Sequence, residues 1–276
     1  MFEKITRLST AVQFAKQKGL SHQFYSRYLP LIRVKQMLEG KMIWLTRCDA
    51  PLFDDTIEHE KYGDKGEQKK LFFSCFSHTR QESAAMWGLY CPPTYQAIRI
   101  VLPQRAMKIL KNVECVKINK GKVSAKTCPV VSNGIGDIVY AAVAKDEEES
   151  DSRSNTLLWD GRYSGKIEDL FDRKSGKRVT GFVKDAEWQF ERESRLWAKI
   201  RGGYNENHLA LRLPDGVIRS MRFTLSPWID KAEREFVKNR IRKWLDEAIK
   251  GAGDGVIFEE SVLTNGLTKW AEQRGL

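Results

Sequence analysis

Glu191 and Glu193 stand two residues apart in the segment ERESRLWAKI, a spacing that suggests paired-acid chemistry. In an extended chain, alternation puts Glu191, Glu193 and Arg195 on one face and Leu196, Ala198 and Ile200 on the other. The two carboxylates then lie about 6 to 7 Å apart along a half-buried strand with a charged face. One acid of such a pair can hydrogen-bond a ribose hydroxyl and stabilise a developing oxocarbenium ion, while the other orients or deprotonates the attacking group. The same pattern also fits a solvent-facing row in which Glu191, Arg192, Glu193 and Arg195 form surface ion pairs worth about 0 to 1 kcal/mol each.

Arg27 lies in FYSRYLP, flanked by Phe24, Tyr25 and Tyr28. A guanidinium held among rings is preorganised to grip a pyrophosphate while a tyrosine stacks on a flat heterocycle, although the same residues suit a sheet edge without a ligand. Ser74 and Ser77 fall in LFFSCFS, a short aromatic run that reads as a buried, central strand. Their hydroxyls can brace a neighbouring glutamate or simply bond nearby backbone. Asp49, Asp54, Asp55 and Glu58 surround Pro51. They offer hard oxygen ligands for Mg²⁺, or the Asx turns and helix caps in which aspartate ordinarily serves.

The elements that must position these groups follow from periodicity and punctuation. Helices are expected from about Ser9 to Lys18, after Pro30 with Leu31, Val34 and Leu38 on one face and Gly40 as the stop, and from Glu82 to Tyr90. A longer one runs from Lys231 to Lys250, with Asp230 and Glu233 as a capping-box-like start, a stripe of Val237, Ile241, Trp244, Leu245 and Ala248, and Gly251 closing it. Strands are expected at Met42–Thr46, Leu71–Ser77, Ala97–Leu102, Glu191–Ile200, His208–Leu213 and Val217–Phe223. The acidic run KDEEESD at 145–151 reads as a solvated loop or helix start. This order implies an α+β fold, a mixed and mainly antiparallel sheet with flanking helices. Without repeats or linkers, one composite domain spans 1–276, with a core over about 22–225 and a C-terminal helix and strand over 226–276.

Composition narrows the classes. The chain has 276 residues, 41% of them hydrophobic, enough to bury a core, and 47 Lys and Arg against 36 Asp and Glu give it a formal charge of +11. An acidic disordered protein is excluded. No window approaches the roughly 18 to 20 apolar residues of a membrane span, so the chain reads as soluble and cytoplasmic, with no membrane partner. The five cysteines are odd in number without a C-x-x-C pair, and the four histidines form no H-x-x-x-H. Reduced thiols and no metal are the expectation. Between Arg105 and Lys126, seven bases (Arg105, Lys108, Lys111, Lys117, Lys120, Lys122 and Lys126) meet one acid, Glu114. Such a surface attracts nucleic acid in a salt-dependent way, or is a solvated face without a partner. A second basic set, Arg234, Lys238, Arg240, Arg242 and Lys243, is diluted by four acids of the same helix.

FYSRY, MIWLTRCDAPLFDDTIE, LFFSCFS, MWGLY, WQFERESRLW and IRSMRFTLSPWIDKAE together resemble the bacterial domain-of-unknown-function family 2971 over residues 24 to 265. Phe53, Asp55 and Glu58 match that family's acidic turn, with Asp54 in place of Asn and Thr56 in place of Pro. The order of an early arginine, a serine-bearing strand and a late Glu-x-Glu is similar to that of mono-ADP-ribosyltransferases. That resemblance implies an ADP-ribosyltransferase-like fold and NAD as the substrate consumed. It gives Arg27 the grip on NAD, Ser74 or Ser77 the bracing of the site, Glu193 the nicotinamide ribose and Glu191 the acceptor. Tyr28, Trp87 and Tyr90 become stacking partners. Here the middle motif is Ser-Cys-Phe-Ser where those enzymes have Ser-Thr-Ser. The expected activity is transfer to a nucleic acid, nucleotide or protein acceptor, as in a bacterial toxin or phage-defence effector restrained by an antitoxin or defence partner. The alternatives are a metal-dependent nuclease built on Asp49, Asp55, Glu58 and Glu191, or a noncatalytic nucleic-acid-binding protein using Lys108, Lys111, Lys117, Lys120, Lys122 and Lys126.

Overall fold

A computed structural model describes residues 21–50, 65–91, 96–119, 122–143, 155–158, 181–202 and 204–263, with some side chains in these stretches left undescribed. The expected helix at Ser9–Lys18, the turn carrying Asp54, Asp55 and Glu58, and the acidic run at 145–151 lie outside the described residues. In chain order the elements are β1 (Phe24–Pro30), α1 (Leu31–Gly40), β2 (Met42–Arg47), α2 (Lys65–Gln68), β3 (Leu71–Ser77), α3 (Ala84–Tyr90), β4 (Ala97–Pro103) and α4 (Gln104–Leu110). Then come β5 (Cys115–Asn119), β6 (Lys122–Thr127), β7 (Val130–Asp137), β8 (Val139–Val143), β9 (Asn155–Leu158), β10 (Val183–Asp185), a 3-10 helix (Ala186–Glu191) and β11 (Glu193–Ile200). β12 (His208–Arg212), α5 (Asp215–Ile218), β13 (Arg222–Leu225), α6 (Lys231–Ala248) and β14 (Ile257–Glu259) complete them. The class is α+β with mainly antiparallel pairing.

The residues sort into two compact units, each drawn from three stretches of chain: 1–22, 44–76 and 111–211 in the first, and 23–43, 77–110 and 212–276 in the second. In the first unit, Thr46 of β2 faces Phe73 of β3, β11 pairs with β7 from Ser194↔Asp137 to Ile200↔Val130, and β12 pairs with β5. A smaller sheet sets β8 between β9 and β10, with Lys184 opposite Tyr140.

In the second unit, β1 and β4 pair antiparallel along their whole length, from Phe24↔Pro103 to Pro30↔Ala97. β13 adds to β4 with Thr224 opposite Arg99, and β14 runs parallel to β13. α6 starts at Asp230, whose side chain accepts from the Ala232 N–H, and buries Val237, Ile241, Trp244 and Leu245 as the helical period requires. α3 is capped by Ser83, which accepts from the Met86 N–H, so the helix starts two residues later than expected.

Two local expectations are corrected. α1 stops at Lys41, which adopts a left-handed conformation (φ 50°) and caps the Leu38 and Met37 carbonyls, so Gly40 is the last helical residue and not the stop. The segment Val217–Phe223 is not one strand: α5 follows Pro214, whose fixed φ suits a helix start, and β13 begins only at Arg222. None of the five cysteines is in a disulfide, and no helix among the described residues is long and apolar enough to cross a membrane.

Candidate functional site: a buried charge quartet in the first unit

Glu191 does not belong to the strand that carries Glu193. It ends the 3-10 helix, and Arg192, with a left-handed φ of 45°, forms the joint before β11. That joint turns the chain so that both carboxylates point inward. Glu191 is 2% and Glu193 4% exposed, and Arg195 is 1% exposed. The charged face is therefore buried, which rules out the surface row of ion pairs.

The charges cancel within the cluster. Arg195 grips Glu193 with two donors, Nε to Oε1 at 2.6 Å and Nη2 to Oε2 at 3.3 Å, and its Nη1 donates to the Gly181 carbonyl at 3.0 Å. The guanidinium lies 5.0 Å over the Phe73 ring. Lys184 Nζ donates to Glu191 Oε2 at 2.7 Å, stands 3.7 Å from Glu193 Oε2, and sits 4.4 Å over the Trp188 ring. The Cys75 thiol hydrogen-bonds the Glu193 carboxylate, and the Glu193 N–H donates to Tyr140 Oη at 2.8 Å. Two acids and two bases thus share one buried volume.

Burial by itself would raise the Glu193 carboxyl. The charges of Arg195 and Lys184, with hydrogen bonds from Arg195 and Cys75, outweigh it and bring the pKa down to about 2. Burial pulls Lys184 down, but the two glutamates carry it above its ordinary value. Burial and the adjacent Glu193 charge push Cys75 and Tyr140 well up, so both stay protonated at neutral pH. Gly181 is the position that only glycine fills: φ is +79°, and a Cβ there would stand 2.1 Å from Phe73 Cζ. On the opposite face of β11, Ser194 Oγ donates to Asp137 Oδ1 at 2.5 Å, and His22 Nε2 meets Oδ2 at 2.7 Å.

No known family, no curated protein and no solved structure matches the chain. Function is therefore read from the residues.

Of the expected site residues, Glu191 and Glu193 do converge, through Lys184. The serines do not brace them in the expected way. Ser74 is buried with an unpartnered hydroxyl and, by alternation along β3, points to the face opposite Cys75, which is the residue that holds Glu193. Ser77 belongs to the second unit, opposite Ser26, and its hydroxyl is also unpartnered.

Arg27 and Tyr28 are also in the second unit and, as neighbours on β1, project to opposite faces, so they cannot share one ligand-gripping cradle. Arg27 is half-buried opposite Ile100. Trp87 is wholly buried, edge-on to Tyr28 at 4.8 Å, and donates to Glu82; Tyr28 Oη accepts from the Ser83 N–H. Those two rings are core and present no open face to a heterocycle. Tyr90 is 39% exposed.

The basic residues divide as well. Lys108 is exposed on α4 of the second unit, whereas Lys111 and Lys117 are half-buried in the first, Lys117 Nζ 5.8 Å over the Tyr204 ring. Lys120 lies outside the described residues, and only the backbone of Lys122 and Lys126, on β6, is described. Of the nuclease acids, Asp49 is held by Arg47 and Glu191 by Lys184, while Asp55 and Glu58 lie outside the described residues.

Lys184, Cys75, Tyr140 and Gly181 were not singled out from sequence as partners of the glutamates. Only Cys75, set between the two serines, carried a signal: on an alternating strand it takes the face that Ser74 does not.

Proposed function

We propose that the chain is an NAD-consuming, ADP-ribosyltransferase-like enzyme acting on a nucleic acid, nucleotide or protein acceptor. The observation that carries this reading is Glu193, a buried carboxylate held ionised in one orientation beside a second buried carboxylate. Clusters of strongly coupled buried acids and bases concentrate at functional sites. An ionised carboxylate fixed in low dielectric stabilises positive charge at the ribose C1′ as the bond to nicotinamide breaks and nicotinamide leaves with the electron pair. The acceptor, oriented by Glu191, then forms its bond to C1′ and gives up its proton to the Glu191 carboxylate, which passes it to solvent. Lys184 Nζ stands 3.7 Å from Glu193 Oε2, and Arg195 Nη2 donates to the same oxygen at 3.3 Å, so Oε2 is the less tightly held of the two carboxylate oxygens.

The test is nicotinamide release from NAD by the full chain, with labelled ADP-ribose followed onto RNA, DNA and protein acceptors. Wild-type release that falls at least a hundredfold in Glu193→Gln, with the variant still folded by circular dichroism, supports the reading. Release unchanged in that variant sinks it.

The saturation of both carboxylates by Lys184 and Arg195 favours a second reading, a noncatalytic nucleic-acid-binding protein in which the quartet is architecture. In that case NAD is untouched. Nucleic-acid binding then survives Glu193→Gln, weakens steeply with salt, and falls when Lys117, Lys120 and Lys122 are neutralised.

A further inference from the structure

β5 and β6 form a hairpin whose register sets Val116 opposite Thr127. One residue further toward the open end of that hairpin, Cys115 stands opposite Cys128, and the Cys128 N–H donates to the Cys115 carbonyl at 2.8 Å. Opposed residues on antiparallel strands project to the same face, with Cα atoms about 4.5 to 5.5 Å apart. That lies within the roughly 4.4 to 6.8 Å that a disulfide spans, so the backbone is already placed for one. The side chains bear this out: burial first, and then the adjacent Cys128, push the Cys115 thiol up to about 12. Both residues belong to the first unit.

The two thiols are unequal. Cys115 is 1% exposed and is flanked on its other side by Leu211 of β12. Cys128 is 8% exposed just past the end of β6, between Thr127 and Pro129, which are both exposed. Burial raises the Cys128 thiol, but the ammonium of Lys117, two residues along β5 from Cys115 and on the same face, pulls it back. Cys128 is thus the sulfur that a small oxidant reaches, and Cys115 the one held behind it. Other thiols are committed elsewhere: Cys75 hydrogen-bonds Glu193, and Cys91 packs with Tyr28, Met86 and Trp87 in the second unit.

We propose that Cys128 and Cys115 are a redox pair, the first attacking hydrogen peroxide and the second closing a cross-strand disulfide. The Cys128 sulfur attacks one peroxide oxygen: an S–O bond forms, the O–O bond breaks, and the leaving hydroxide takes the thiol proton as water. The Cys115 sulfur then attacks that of Cys128: an S–S bond forms, the S–O bond breaks, and a second hydroxide leaves with the Cys115 proton as water. Two thiols lose two electrons, and one peroxide becomes two waters. The new bond ties off residues 116–127, which include Lys117, Lys120, Lys122 and Lys126. The most basic stretch of the chain is therefore clamped when oxidised and released when reduced. This chemistry concerns the first unit alone and does not depend on NAD.

The test exposes the full chain, in native buffer, to hydrogen peroxide over several hours. Remaining thiols are then blocked in denaturant, and the unreduced digest is mapped by mass spectrometry. Free thiols should fall from five to three, with a peptide pair joined through Cys115 and Cys128, and dithiothreitol should restore all five. In Cys115→Ala, Cys128 should be captured as its sulfenic acid by dimedone, whereas in Cys128→Ala the Cys115 thiol should stay reduced. Circular dichroism checks that each variant folds; if neither does, the wild-type map decides alone. A wild-type chain that keeps five thiols overturns the proposal. So does a cross-link joining other cysteines, or oxidation of Cys115 in a folded Cys128→Ala protein as extensive as that in wild type.

Discussion

Replacing Glu193 by glutamine removes one negative charge from a buried group of four and leaves Arg195 and Lys184 facing only Glu191. Removing one partner of a buried ion pair costs about 3 to 5 kcal/mol, a large share of the roughly 5 to 15 kcal/mol that holds a domain folded. The pH dependence gives a sharper signature. Glu193 is lowered from 4.5 to about 2 in the folded chain, so its contribution is complete above about pH 4.5 and is lost as pH falls toward 2. At about 1.4 kcal/mol per unit the full difference is about 3 kcal/mol, and roughly 2 kcal/mol of it is gone by pH 3. Lys184, raised above 10.5, contributes stability that is lost only in strong base. Urea unfolding followed by tryptophan fluorescence at pH 7, 4.5 and 3 should show wild type and Glu193→Gln far apart at pH 7 and about 2 kcal/mol closer at pH 3. Equal stability at pH 7, or a gap that does not narrow with acid, would refute the buried quartet.

Gly181→Ala should destabilise the fold by about 2 kcal/mol or more, because a methyl must enter the Phe73 ring at a positive φ, whereas Gly216→Ala, with open space around it, should melt at or slightly above wild type. Ser83→Ala and Asp230→Ala should each cost about 1 kcal/mol in chemical denaturation through loss of a helix cap. Burial pushes the Cys91 and Cys115 thiols up to about 12, so both should resist alkylation at pH 8 in the folded chain and react at once in denaturant. Fast labelling of either thiol in the native protein would contradict their placement.

Helices α1, α3 and α6 and strands β2, β3, β4, β11 and β12 were legible because their signals are local, whereas α2, α4 and strands β1 and β5 to β10 carried no such signal. LFFSCFS suits a short buried strand better than a helix, and it is a strand from Leu71 to Ser77; Asp230 and the stripe through Val237, Ile241 and Leu245 define α6. Where the reading failed, the deciding term was a backbone conformation or a distant partner. Nothing in ERES announces that Arg192 takes a left-handed φ, so Glu191 read as strand. Period-2 alternation gave Glu193 and Arg195 a common face, yet their burial depends on Lys184 and on Gly181, which arrive from another stretch of chain. Alternation also sets Arg27 and Tyr28, as neighbours on a strand, on opposite faces. A lone arginine in the middle of AIRIVLP was the strongest unread signal in the second unit: a charge placed in so apolar a strand asks for a partner.

Because two acids and two bases balance in the space around Glu193, the quartet is hard to alter by single steps. Any lone replacement strands a charge away from water, whereas removing Glu191 together with Lys184, or Glu193 together with Arg195, restores neutrality at once. Sequence drift at this spot should therefore proceed in coordinated doublets, and a library varying all four positions should return survivors in which acids and bases vanish in equal number.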